Sequence, residues 1–248
     1  MITEDFTSQL IAETQSAHGE LMSTGAHVKH LALLLWTSNV QLPVVGGSLF
    51  SIVNHVIRND IADAPGQHHR SGMQPAARIA RCICELCVNP ALPPGLDLPA
   101  VGAAAAMKRV FRGGGFDPKH RMFFDERASA AGDSAFRIPQ FWATSLTERV
   151  AQRFMKQNSG ALSERNLESV LWQVDMVATV PMWNAALVEQ TDTHFQGEQE
   201  YLFVPYSTFV LLDVSWSTGT HSDPHRINLL ARDDNRKESM DYPTAPWA

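Results

Sequence analysis

The sequence predicts an α+β protein, a helical N-terminal part packed on a mostly antiparallel β core. Three observations carry this. Up to about residue 90, apolar side chains recur at helical spacing between polar ones. From about residue 99, short apolar runs alternate with Gly, Pro, Asp and Ser clusters, the pattern of strands and turns. Between the two textures stands Pro93-Pro94-Gly95, a turn that neither helix nor strand accommodates.

Taken in order, Phe6, Leu10 and Ile11, then Leu31 to Trp36, follow a helical period. Pro43 and Gly46-Gly47 break the chain, and Ser48 has the residue type of an N-cap for a helix through Leu49, Ile52, Val53, Val56 and Ile57. His68-His69-Arg70-Ser71-Gly72 reads as a loop. Pro75 then opens a helix through Ile79, Ile83 and Leu86, closed by Asn89-Pro90. The expected strands are Lys108 to Arg112, Gln140 to Thr144, Val170 to Val177, Tyr201 to Val204, Thr208 to Val214 and Arg226 to Ala231. One helix interrupts them, capped by Thr147 and running through Val150, Ala151, Phe154 and Met155. The last dozen residues, rich in charge and proline, are expected to form a loose tail.

Composition excludes several classes. The 248 residues carry a formal charge of −6 with signs interspersed, so no basic stripe exists to hold nucleic acid. No apolar stretch approaches the roughly 20 residues that cross a bilayer. The start, Met1-Ile2-Thr3-Glu4-Asp5-Phe6, lacks a basic region and an apolar run, so no cleaved signal peptide is expected. Three clustered cysteines, Cys82, Cys84 and Cys87, fit a reducing cytosol. On a helix Cys82 and Cys84 fall on different sides, so no metal site is expected.

Three stretches could carry chemistry. Val110-Phe111-Arg112-Gly113-Gly114-Gly115-Phe116 ends a strand with an arginine and three glycines. Arginine offers a planar fork for phosphate or carboxylate, and glycine lets a ligand approach the backbone. The same pattern is also that of a Gly-rich hairpin beside a surface arginine. Phe141-Trp142-Ala143-Thr144-Ser145-Leu146-Thr147 is a strand, a hydroxyl pair and a helix start, where Thr144 and Ser145 either cap the helix or order a neighbouring charged side chain. Glu198-Gln199-Glu200 precedes the apolar run Tyr201 to Val204. In a strand, residues i and i+2 share a face, so both carboxylates would enter one space and disfavour each other's ionisation. The plainer reading is a strand start with two solvated glutamates.

Together and in this order, Phe111-Arg112-Gly113, Ala143-Thr144-Ser145 with Ala151 and Phe154, and Glu198-Gln199-Glu200 resemble the ADP-ribosyltransferases of the Arg–Ser–Glu type. That family carries an aromatic-Arg-Gly strand, a Ser-Thr-Ser strand followed by an A-x-x-F helix, and a Glu-x-Glu strand. The resemblance covers roughly residues 48 to 232, and Phe50 to Arg58 looks like the helix before the arginine strand. It implies an N-terminal helical segment at 1–47, a catalytic domain at 48–235 and the tail at 236–248. One position departs from the pattern: Ala143 stands where the family has its first serine.

The resemblance implies that NAD is the substrate and loses nicotinamide through an oxocarbenium-like transition state. Glu200 would hold the ribose and stabilise the growing positive charge. Arg112 would clamp the pyrophosphate, Gly113 and Gly114 would line the cofactor, and Gly113 would take the nicotinamide amide. Thr144 or Ser145 would stand in for the missing serine, and Phe154 belongs to the same cofactor-binding set. Glu198 would orient or deprotonate the acceptor on a target protein. Glu-x-Glu usually goes with arginine acceptors, and some bacterial effectors with this motif act on ubiquitin. The alternatives are an NAD glycohydrolase and a decayed enzyme kept as a protein-binding module. A cytoplasmic protein is expected, or an effector delivered into a host cytosol.

Overall fold

The structure is a computed structural model that describes residues 36, 41–42, 47–59, 80–81, 83–84, 107–129, 134–177, 182–188 and 199–247. The chain divides into two compact units, 1–89 with 189–197 and 90–188 with 198–248. The helical stretches expected before residue 36 lie outside the described residues.

In the first unit, β1 (Gln41–Leu42) and β2 (Gly47–Ser48) form a two-stranded antiparallel pair. Helix α1 (Leu49–Asn59) follows at once, with Ser48 immediately before it as expected for its N-terminus. Val53 is fully buried, and Trp36 meets Phe50 edge to face with centroids 6.1 Å apart. Residues 80–81 and 83–84 are helical, in line with the helix expected after Pro75.

The second unit is built on one eight-stranded mixed sheet, a half-barrel with few helices. Its strands are β3 (Met107–Phe116), β4 (Ala135–Ile138), β5 (Trp142–Ser145), β6 (Glu168–Val177), β7 (Ala185–Leu187), β8 (Glu200–Phe203), β9 (Ser207–Ser215) and β10 (His225–Ala231). Their order is β4-β9-β10-β6-β3-β5-β8-β7. Every neighbouring pair is antiparallel except β10 with β6. All six expected strands are present, most lengthened by a few residues. Strands β4 and β7 were not anticipated: they are four and three residues long, and β4 carries an arginine.

One face of the sheet buries an aromatic core of Trp142, Trp172, Tyr201, Phe124, Phe136, Phe203 and Phe209. Phe124 comes from α2 (Arg121–Ser129), a helix absent from the sequence expectation because only that residue is fully buried and Arg121, Asp125, Glu126 and Arg127 interrupt its apolar pattern. It is preceded by a 3-10 turn that Asp117 caps by accepting from the Lys119 amide at 3.0 Å. Helix α3 (Glu148–Glu164) has Thr147 at its N-cap, as the sequence indicates. Ala151 and Met155, four residues apart and so on one helical face, pack on Leu171 and Phe111.

The expected loose tail is overturned for the residues up to Trp247. The Arg137 amide donates to the Pro243 carbonyl at 2.9 Å, and the Ala245 amide to the Arg137 carbonyl at 2.8 Å. The buried Arg137 guanidinium donates to the carbonyls of Tyr206, Glu238 and Ser239 at 3.1–3.3 Å and to that of Asn235 at 3.5 Å. Trp247 stacks on Phe124 and Trp172, with centroids 4.9 and 5.2 Å away. Proline and charge made this segment look solvated. It is a strap, because a buried cation needs acceptors and an aromatic core needs a lid.

Candidate active site

The site lies where three strands of the second unit come into one row. Phe111 of β3 is opposite Ser145 of β5, and Ser145 is opposite Glu200 of β8. The register between β5 and β8 is fixed by the core. Trp142 pairs with Phe203 and Thr144 with Tyr201, and these aromatic rings are buried together. Alternation along the strands then sends Ala143, Ser145 and Glu200 to the opposite face. Between β3 and β5 the pairing is a single residue pair, whereas β3 pairs with β6 over all ten of its residues. The sheet opens beside Arg112.

Arg112 donates from Nη1 to the Ala143 carbonyl at 2.6 Å, its one hydrogen bond among the described residues. The residue as a whole keeps some surface, but its charged end is enclosed, and desolvation pushes it down to about 10. The Glu200 carboxylate acts in the other direction and favours the cation. Arg112 therefore stays charged at neutral pH, next to the carboxylate that the sequence singled out. The absent serine leaves no hydroxyl at position 143, but the backbone there holds the arginine.

The two hydroxyls beside it have separate tasks. Thr144 is buried, and its hydroxyl donates to the Tyr201 carbonyl at 2.7 Å, tying β5 to β8 on the core side. Ser145 Oγ accepts from the Thr147 amide at 3.1 Å, a local turn that leads the chain into α3. One hydroxyl thus ties two strands through a backbone carbonyl, and the other shapes the turn just before the helix.

The strand expected at the Glu-x-Glu stretch starts at its last residue. Strand β8 begins at Glu200, and Gln199 has φ of 47°, in the left-handed region. A residue turned this way lies outside the strand alternation. Glu198 itself lies outside the described residues. The Gln199 carbonyl accepts from the Leu146 amide at 3.1 Å, and its side-chain Oε1 accepts from the Thr147 hydroxyl at 3.1 Å. Nothing in the sequence signals this, because glutamine is not a residue that marks a left-handed turn.

Two of the three glycines in the run have a packing cause that composition does not show. A Cβ on Gly113 would lie 1.9 Å from the Ala151 carbonyl oxygen and 2.7 Å from Met155 Cγ, and one on Gly115 would lie 2.3 Å from Leu162 Cδ2. These two glycines seat α3 on β3. A Cβ on Gly114 would meet nothing within 4 Å, so of the three it alone has open space beside it. Phe154 is 37% exposed and lies under the Arg153 guanidinium, 5.6 Å from the ring centroid.

A second polar cluster escaped the sequence reading. Arg121 grips Glu168 with two bonds of 2.6 and 3.0 Å, and fully buried His225 approaches Glu168 Oε2 at 3.1 Å through Nε2. His225 Nδ1 accepts from the Ser217 amide at 2.9 Å, so Nε2 carries the proton and donates it to Glu168. Burial opposes ionisation of Glu168, but the bonds from Arg121 and His225 outweigh it and hold the carboxyl below its usual range. With His225 sealed from solvent, the cluster fastens α2, β6 and β10 together. Elsewhere, burial pushes the Cys84 thiol up to about 12, which keeps it protonated and unreactive. Cys82 and Cys87 lie outside the described residues. No helix among the described residues is long and apolar enough to cross a membrane.

No protein-family model matches the chain, and no curated protein matches it in sequence. Solved structures do. The Vis toxin, an ADP-ribosyltransferase from Vibrio splendidus, matches with a TM-score of 0.52 at 13% identity, covering 98% of this chain and 91% of Vis. Vis in complex with the M6 inhibitor gives 0.56 at 13%, covering 97% and 89%. The ADP-ribosyltransferase HopU1 of Pseudomonas syringae pv. tomato gives 0.52 at 17%, covering 88% and 82%. At these identities the likeness is one of fold, and the fold is that of bacterial ADP-ribosyltransferases.

Proposed function

We propose that this chain transfers ADP-ribose from NAD to a side chain of a target protein and releases nicotinamide. The observation that carries the reading is the charged Arg112 beside Glu200, at the point where the sheet opens, on a fold shared with ADP-ribosyltransferases. The residues fit NAD. Arg112 keeps its charge and holds a single hydrogen bond among the described residues, which leaves donors for a pyrophosphate. Gly114 has room beside it.

NAD supplies a glycosidic bond to a good leaving group, and its cleavage builds positive charge on the ribose. Arg112 binds the pyrophosphate and fixes the orientation of the dinucleotide. Glu200 accepts a ribose hydroxyl and stabilises the developing cation. Ser145, opposite Glu200, orders the row, and the Gly113 backbone takes the nicotinamide amide. Glu198 orients or deprotonates the incoming nucleophile. An arginine acceptor is the reading that Glu-x-Glu favours, with a hydroxyl or arginine of ubiquitin as the second choice. The likeness to Vis, described as a toxin, supports a bacterial toxin or effector that acts in another cell's cytosol.

Two mutants measured side by side test the roles. Glu200→Gln keeps shape but removes charge, so nicotinamide release and protein labelling should both fall on the order of a hundredfold or more. Glu198→Gln should stop labelling while slow release of nicotinamide to water continues. If Glu198→Gln abolishes both reactions and Glu200→Gln neither, the assignment is reversed.

The absence of a hydroxyl at Ala143 favours one other reading, a binding module whose NAD pocket has decayed. Isothermal titration separates the two: heat on adding NAD supports the enzyme, and none at millimolar NAD supports the module.

A further inference from the structure

Helix α3 starts with a threonine at its N-cap, yet the Thr147 hydroxyl makes no capping bond. Such a hydroxyl ordinarily accepts from an amide of the first helical turn, and losing that bond weakens a helix. Here it donates instead to Gln199 Oε1 at 3.1 Å. Gln199 is one of three residues other than glycine with positive φ among the described residues, and it immediately precedes Glu200. Its carbonyl is held as well, by the Leu146 amide at 3.1 Å. Ser145, which faces Glu200 across the strand pair, completes the circuit by accepting from the Thr147 amide at 3.1 Å.

Both ends of this arrangement are costly alone. A diverted cap weakens the start of α3, and a left-handed glutamine is a strained backbone position. Two unfavourable features that satisfy each other at the mouth of a strand define a specific geometry. That geometry sets where the backbone turns into β8, and hence where the Glu200 carboxylate stands.

We infer that Thr147 and Gln199 form a latch that positions Glu200 for the transition state. They are positioning residues, acting through Glu200 and not on the substrate. The inference rests on the transferase reading above. The latch adjoins the acid and not the arginine, so its loss should appear in kcat and leave the KM for NAD nearly unchanged. Thr147→Val removes the hydroxyl at constant shape without removing a helix cap, because no cap bond exists to lose.

The experiment is steady-state nicotinamide release by the full chain, with melting temperature recorded for each variant. Thr147→Val should lower kcat by about tenfold or more, since small misplacements of a catalytic group cost that much. KM for NAD should stay within about twofold, and Thr147→Ser, which restores the donor, should recover the rate. Gln199→Gly, which accepts the left-handed turn but lacks the acceptor, should lose a similar factor. The double variant Thr147→Val, Gln199→Gly should be no slower than either single one, because both break the same bond. An active wild type whose Thr147→Val variant turns over equally fast overturns the latch alone. So does a rate loss that tracks melting temperature and that Thr147→Ser fails to restore. A wild type that releases no nicotinamide overturns the transferase reading, and the latch with it.

Discussion

Arg112 and Arg137 are the same residue in two regions of one sheet, and both reach into the interior to bond backbone carbonyls. Around Arg137, carbonyls of four residues collect the guanidinium protons. Arg112 has one carbonyl, that of Ala143, and a carboxylate close enough to act on its charge. Arg137 is closed upon by its own chain, and Arg112 still has donors to offer. Burial alone therefore does not separate the two arginines. The fraction of protons already bound does.

The sharpest way to break this comparison is to remove each arginine in turn. Arg137→Ala should lower stability by about 3–5 kcal/mol, because several buried carbonyls lose their donor together with the strap they hold. Thermal or urea unfolding measures it, and a loss under about 1 kcal/mol would show that the strap is held by Trp247 alone. Arg112→Lys should leave the melting temperature in place and weaken NAD binding on the order of a hundredfold, since a point charge cannot reproduce the bidentate fork. Titration calorimetry with NAD reads that change. Unaltered affinity would remove the arginine from the site.

A smaller effect sharpens the same distinction along β3. Gly113→Ala should cost about 1–2 kcal/mol, because the new methyl meets the Ala151 carbonyl and α3 must lift. Gly114→Ala should be close to neutral in stability, with open space for its methyl, and any effect should fall on NAD binding. Unfolding midpoints of the two variants decide it. Equal losses would mean that the glycine run serves one purpose throughout.

Which parts of this were legible in the sequence follows from how far each signal acts. Strand β6 was readable because it is buried along most of its length and so shows the apolar run Val170-Leu171-Trp172, followed by alternation through Val174 and Met176. Helix α3 was readable because Thr147 has the residue type found at N-caps and Ala151 and Met155 keep helical spacing. Arg112 and Glu200 were readable because their types and their order along the chain match a known arrangement. Strand β4 was not, since Arg137 sits inside it and looks like a surface residue until the strap closes over it. The packing role of Gly113 was not legible, because glycine serves a ligand and a close-packed helix equally well, and the atom that reveals it, the Ala151 carbonyl, is 38 positions later in the chain. The turn at Gln199 is imposed by Leu146 and Thr147, about fifty residues earlier, so no local pattern could disclose it.

The single pairing between β3 and β5 has a mechanical meaning. It splits the eight strands into a block of five, β4-β9-β10-β6-β3, and a block of three, β5-β8-β7. Within the blocks, neighbouring strands are joined by three to ten residue pairs. Across the seam the joint is one pair, Phe111 with Ser145, stiffened by the bond from Arg112 to Ala143. Bending is cheapest where the fewest bonds resist it, and in this sheet that place is the seam. The seam runs through the candidate site, with Arg112 on one side and Glu200 on the other.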